Sequence, residues 1–194
     1  MTIIDQVRQL REQTGISMME CKKALEASAG DIEKAKKVLR ERGKEVIKSR
    51  GGKGAYQGIV ESYIHPGSRI GVLLELHCET DFVAKSKEFK KLAHEVCLQI
   101  AAARPLFTRE DEIPEKFLDE EKKIYQKQFA GSGKPEKIIE QIIEGKLSKY
   151  KKEVSLVSQP WVKDVAKTVA DLVSDYIAKT GEKIEIGKFT RYEI

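Results

Sequence analysis

The sequence predicts an α+β protein: three short N-terminal helices, then a core of about three antiparallel strands covered by helices. Three observations carry this. Apolar residues recur at helical spacing through the first forty-odd positions. Two runs of alternating apolar and polar residues flank Pro66-Gly67-Ser68, a turn sequence. A third alternating run closes the chain, so the sheet is assembled from sequence-distant pieces with helices between them.

In the N-terminal part Ile3, Val7 and Leu10 share one helical face, and Thr14-Gly15 ends that helix. Ser17, with Glu20 three residues later, forms a capping box for a second helix whose apolar side is Cys21, Ala24 and Leu25. Gly30 stops it. Asp31 caps a third helix that carries Ile32, Ala35 and Leu39 and ends near residue 43. A unit this small has a thin core and is marginally stable alone. It is taken as a domain over residues 1–47, followed by a basic, Gly-rich linker, KSRGGKGA, over 48–55 and a core domain over 56–194.

In the core, YQGIVESYIH and RIGVLLELHC read as paired strands. Val72, Leu74, Leu76 and Cys78 share the buried face, and Leu73, Glu75 and His77 the wetter one. Ser86 to Ala103 reads as a helix with Phe89, Leu92, Ala93, Val96 and Ile100 as its buried stripe. Two helices begin with Pro114 and Pro135 at their first positions. Val165, Val169, Leu172 and Tyr176 line another, closed by Gly181. In the last strand, KIEIGKFTRYEI, the apolar parity changes between Ile186 and Phe189, which predicts a bulge at Gly187. Three strands leave two open edges and a face that helices need not cover, a geometry that favours self-association.

Composition narrows the function class. The 194 residues carry 36 Lys and Arg against 31 Asp and Glu, so the net charge of +5 sits on a nearly balanced surface. That excess fits an acidic protein partner as well as nucleic acid. Cys21, Cys78 and Cys97 are odd in number and have no metal-pair spacing, which points to reduced thiols in a reducing compartment. The charged N-terminus is no signal peptide, and no run reaches the ~18 apolar residues of a membrane span, so the expectation is a soluble, cytoplasmic protein. Gly131-Ser132-Gly133-Lys134-Pro135 fails as a phosphate loop: Gln128 stands where the first glycine belongs, and Pro135 where a Mg²⁺-binding hydroxyl belongs. His65, His77 and His94 have no ligand spacing with a third donor, so no metal site is expected, and no nucleophile elbow is present. The chain therefore reads as a protein-binding factor without covalent chemistry or cofactor.

One segment has the look of an interface. Glu79-Thr80-Asp81-Phe82-Val83-Ala84-Lys85 lies between the second strand and the long helix. Phe82, flanked by polar residues, either projects as an apolar wedge that anchors an interface or packs onto the underside of the sheet.

TDFVAK, with TGISMMECKKALEASAGDIEKA, SYIHPGSRIGVLLEL, IAAARP, SGKPEKI, EGKLSKYKKEVSL, QPWVKD and FTRYEI, resembles the elongation factor Ts family along essentially the whole chain and in family order. These are the guanine-nucleotide exchange factors of elongation factor Tu. The resemblance is to a short form, with one core subdomain where longer members carry two, and the sequence stops at Tyr192-Glu193-Ile194 where many members continue into a Gly-Glu-Gly tail. Ser86 stands where Asn or Asp is usual, and is expected to serve as a helix cap.

The resemblance implies the following roles. The N-terminal helices form a ubiquitin-associated-like unit that docks on the partner's GTPase domain, placing Lys22 at that surface; the alternative is an ordinary solvated lysine. Cys21 is expected to be buried. Thr80, Asp81, Phe82 and Val83 form the exchange element, with Asp81 and Phe82 reaching between helices beside the partner's nucleotide site and displacing Mg²⁺. His65, Val162 and Lys163 belong to a further contact, with Trp161 equally suited to anchoring the core. A homodimer through residues 56–194 is expected, giving a two-to-two assembly with elongation factor Tu, which is bound both with GDP and free of nucleotide. Two rival readings remain. A ubiquitin-like or nascent-chain binding module rests on the N-terminal helices and leaves TDFVAK without a role. An RNA-binding, ribosome-associated protein predicts steep salt dependence.

Overall fold

The computed structural model describes residues 2–49, 54–130, 133 and 135–194. Residues 50–53 of the anticipated linker, and 131, 132 and 134 of the loop over 131–135, fall outside the described residues. The first helix, α1 (Ile3–Thr14), starts from a reciprocal cap: the Asp5 amide donates to Thr2 Oγ1 and the Thr2 amide to the Asp5 carboxylate. Gly15, at φ 70°, ends it. Helix α2 (Met18–Ala27) starts from Ser17, whose hydroxyl accepts from the Glu20 amide. The returning half of that predicted box does not form, because the Glu20 carboxylate is held by Arg42 at 2.8 Å and Lys23 at 3.2 Å. Asp31 caps α3 (Ile32–Ser49) through the Lys34 amide. This helix runs past the anticipated end near residue 43 and into the segment read as linker. Gly43 lies within it: a lone glycine costs a helix about 1 kcal/mol but does not by itself terminate it. Val7, Leu10, Ile16, Cys21, Ala24, Leu25, Ala35 and Leu39 form the core of the three helices.

A three-stranded antiparallel sheet follows, in the order β1 (Gln57–Ile64), β2 (Ile70–Cys78), β5 (Ile184–Glu193). Pro66 and Gly67 are the central residues of the β1–β2 turn, where the Ser68 amide donates to the His65 carbonyl at 2.9 Å and Gly67 takes φ 93°. Val72, Leu74, Leu76 and Cys78 are at most 2% exposed, so the predicted parity of β2 holds. The bulge also falls where expected. Leu74 pairs with Phe189 and Leu76 with Ile186, leaving Glu75 opposite Gly187 and Lys188. A Cβ at Gly187 would lie 2.6 Å from His77 Nε2, so a larger residue there requires the imidazole to shift.

The short helix α4 (Asp81–Ala84) leads into α5 (Lys87–Ala103), where Ser86 Oγ caps the helix by accepting from the Phe89 amide at 3.1 Å. Helices α6 (Glu115–Phe129) and α7 (Glu136–Val154) pack on each other, with Phe117 against Phe107 and Tyr150. Pro114 and Pro135 sit one position earlier than anticipated. Each is the extended residue preceding the helix, ψ 139° and 140°, where φ is already set for helix entry.

Two strands were not anticipated. A small hairpin, β3 (Pro160–Trp161) with β4 (Asp164–Thr168), precedes α8 (Val169–Thr180). Val165 is therefore not on the helix. It lies in β4, 80% exposed, because α8 begins at a capping box between Thr168 and Asp171. The buried sheet face, α5 and α8 enclose the larger apolar core, with Phe89, Leu92, Val96, Ile100, Val169 and Leu172 inside it. Helix α8 also packs against α3 and contributes Ala178 to the edge of the N-terminal core. No helix among the described residues is long and apolar enough to cross a membrane.

Candidate partner-binding site

The segment after β2 resolves the alternatives for Phe82. Thr80 ends the extended chain at ψ 155° and caps α4, its Oγ1 accepting from the Val83 amide. A helix of four residues turns Ala84 into the core and Phe82 away from it. Ala84 is 5% exposed and Phe82 83%, so the ring projects into solvent. Val83 is half-buried and touches the larger core. Asp81 is partly exposed, and its carboxylate lies 2.7 Å from Lys85 Nζ. That bond and the lysine's charge hold the Asp81 carboxyl below the usual carboxylate range.

Phe82 does not stand alone. Together with Val83 it lines an open groove of about 500 Å³ with Gln13, Thr14 and Gly15 from the end of α1, and with Lys179 and Thr180 from the end of α8. The exchange element predicted from the sequence thus lies where the N-terminal helices meet the core. Lys22 lines neither this groove nor the next. It is exposed on α2 and pairs loosely with Glu26 at 3.8 Å.

His65, Val162 and Lys163 are brought together. They line a second groove of about 370 Å³ with Tyr63, Leu98 and Arg191 among its walls. Val162 and Lys163 form the tip of the β3–β4 hairpin, and a buried amide pair fixes that tip. Gln99 donates to Gln159 Oε1 at 3.1 Å and to the Pro160 carbonyl at 3.2 Å, and accepts from the Val162 amide at 2.9 Å. Gln159 in turn donates to the carbonyls of Ala103 and Glu153. Lys163 Nζ lies 2.7 Å from the nearer carboxylate oxygen of buried Glu95, which leaves Val162, 43% exposed, as the apolar point of the tip. Trp161 is partly buried against the larger core and serves as an anchor. His65 Nδ1 lies 2.9 Å from Tyr63 Oη, so the imidazole is held at the end of β1.

Sequence reasoning missed Gln99, Gln159 and Glu182, all partners from distant segments. A buried polar residue on an otherwise apolar stripe was the available signal for Gln99, which is fully buried on α5. Cys21, Cys78 and Cys97 are all free and buried. Burial pushes the Cys78 thiol up to about 11, with the Glu182 carboxylate adding to it, and the Cys97 thiol to about 12. Among the described residues no three His, Cys, Asp or Glu side chains come together as a metal-binding group.

Comparison with known proteins bears out the family resemblance. The family described as Elongation factor TS matches residues 2–194. The chain is 50% identical to Elongation factor Ts of Desulforamulus reducens over 97% of this chain and 87% of the relative. It is 49% identical to that of Moorella thermoacetica, over 97% and 93%, and 47% identical to that of Thermotoga petrophila, over 98% and 95%. On a match that spans nearly the whole chain, this protein belongs to the elongation factor Ts family.

Proposed function

We propose that this chain is the guanine-nucleotide exchange factor of elongation factor Tu in translation elongation. One observation carries the reading: in a member of this family, the Phe82 ring stands 83% exposed on a short helix fixed to the core. The short helix fixes the backbone beneath the ring, so only the ring's two side-chain torsions remain to be ordered on binding, which suits an interface anchor.

In this reading Thr80, Asp81, Phe82 and Val83 act on the partner beside its nucleotide site. Mg²⁺ demands near-octahedral coordination and neutralises charge between phosphates and protein. A ring that shifts the groups around the ion dislodges it and loosens GDP without touching the nucleotide. Lys22 on the N-terminal helices, and His65, Val162 and Lys163 around the second groove, supply further contacts. The division into a ubiquitin-associated-like domain over 1–47, a linker over 48–55 and a core domain over 56–194 is part of the proposal, and the two separate apolar cores support it. The site of action is the cytoplasm, with no membrane and no specific nucleic acid involved, and the chain contributes binding energy rather than covalent chemistry.

Linkage gives the test. A factor that lowers the partner's affinity for GDP is itself bound less tightly when GDP is present, by the same factor. Added GDP is expected to weaken the complex with elongation factor Tu by about a hundredfold, the upper part of the usual coupling range. Titration calorimetry with empty and GDP-loaded partner measures this. Equal affinities would remove exchange as the function.

The same proposal includes a homodimer. The cross-strand pairs Val60–Glu75, Ser62–Leu73–Thr190 and Ile64–Gly71–Tyr192 lie on the sheet face opposite the core. On that face Val60 is 70% exposed, Ile64 62%, Leu73 50% and Tyr192 70%. Clustered exposed apolar side chains on one sheet face are the usual mark of an interface. Sedimentation at micromolar concentration is expected to give a dimer, and Leu73→Asp a monomer. A native chain that sediments as a monomer rules the dimer out.

A further inference from the structure

The helix that carries Phe82 makes only half of a capping box from its own residues: Thr80 Oγ1 accepts from the Val83 amide, and the returning half has no local acceptor. In a capping box the amide of the capping residue donates to a carboxylate or amide side chain at the third helical position. Here that position is Val83, which has no acceptor. A helix of four residues is also far below the length that is stable by itself in water.

The missing acceptor comes from the other end of the core. Glu182, just after α8, receives both donors of Thr80: the amide at Oε2, 3.0 Å, and the hydroxyl at Oε1, 2.6 Å. The remaining polar groups of Thr80 are engaged as well. Its Oγ1 accepts from the Val83 amide, and its carbonyl accepts from the Ala84 amide at 3.2 Å and the Cys78 thiol at 3.1 Å. A second bond runs the opposite way, from the Lys183 amide to Glu79 Oε1 at 2.8 Å. Glu182 is itself tied to α8, since its amide donates to Thr180 Oγ1, which donates to the Tyr176 carbonyl.

We propose that Glu182 is the positioning residue for Phe82: its carboxylate supplies from a distant segment the half of the capping box that α4 cannot make, and so sets where the ring meets the partner. The proposal rests on the exchange reading above. It adds that α8 is a common support, because the residue that fixes the exchange element lies two positions after the helix that packs on α3. Distance between the N-terminal helices and the Phe82 ring is then set by α8 and not by the connecting chain.

The test uses full-length Glu182→Ala and Glu182→Gln, with two readouts. The first is the maximal rate of GDP release from elongation factor Tu at saturating factor. Loss of a hydrogen-bonded carboxylate is expected to lower it about tenfold in Glu182→Ala, with partial recovery in Glu182→Gln, which keeps the shape and one acceptor. In a Phe82→Ala background the Glu182→Ala change is expected to have no further effect, because it acts through the ring. A general loss of structure would instead slow both backgrounds. The second readout is amide hydrogen exchange of Val83, Ala84 and Lys85 in the isolated protein, expected to quicken in Glu182→Ala while the strand amides of Leu74 and Leu76 stay protected. Unchanged protection at all three amides, or equal slowing of release with and without Phe82, overturns the proposal. If the native chain releases no GDP but Glu182→Ala exposes those amides, the exchange reading fails while the cap stands.

Discussion

Replacing Phe82 by alanine is expected to slow GDP release from elongation factor Tu by about tenfold or more, the size of effect that truncating a central aromatic anchor has on an interface. The same change is expected to leave the fold almost untouched, within about 0.5 kcal/mol, since the ring is 83% exposed and fills no core. Its helix is held by Thr80 and Glu182 and by the burial of Ala84, none of which involves the ring. Stopped-flow release of a fluorescent GDP analogue measures the first, and thermal unfolding the second. Unaltered release with native stability would keep exchange as the function and take it away from Phe82. A large fall in melting temperature would mean that the ring supports the fold after all.

Phe89, seven residues on, is expected to behave in the opposite way. It lies fully buried on the first turn of α5, in the core formed with the sheet and α8. Phe89→Ala removes a ring from a closed site and leaves a cavity, at a cost of about 3–5 kcal/mol. For a chain of this size that corresponds to a fall in melting temperature of about 10 °C. At temperatures where the variant stays folded, GDP release is expected to remain within about threefold of native, because the sheet and α8 still support Thr80. Differential scanning calorimetry followed by the release assay tests both parts. The two phenylalanines thus separate anchoring of a partner from anchoring of the core, within one short stretch of sequence.

Much of this was legible in the sequence where one short-range pattern decides the outcome. The alternation of Val72, Leu74, Leu76 and Cys78 gives the buried face of β2, and the change of parity from Ile186 to Phe189 gives the bulge at Gly187. Gly15, Asp31, Ser86 and Gly181 set helix ends through their own backbone or side-chain geometry. The errors came where two patterns compete. Val165, Val169, Leu172 and Tyr176 fit a helical stripe, but Thr168 and Asp171 make a capping box that starts the helix later and leaves Val165 to a strand. The hairpin that holds Val165 has only two residues on its first strand, too short for alternation to register. The apolar stripe read for α3 stops at Leu39, before the helix does, so the end expected near residue 43 falls short of Ser49.

The candidate site divides in the same way. TDFVAK marks the proposed exchange element, and the exposure of Phe82 follows from α4, which turns Ala84 into the core and Phe82 away from it. What holds the element was not legible. Glu182 lies 102 positions from Thr80, and one charged residue among 35% charged residues carries no sign of its partner. Gln99 and Gln159 are likewise joined across 60 positions. Such contacts are properties of the packed core, and periodicity along the chain does not contain them.

The most direct test of the account is release of a fluorescent GDP analogue from purified elongation factor Tu, chased with excess unlabelled GTP, at rising amounts of the native chain below one equivalent. The account predicts that release accelerates and that each molecule of the chain acts on many molecules of partner, with the rate saturating in partner concentration. A folded native sample that leaves the release rate at its spontaneous value would contradict it.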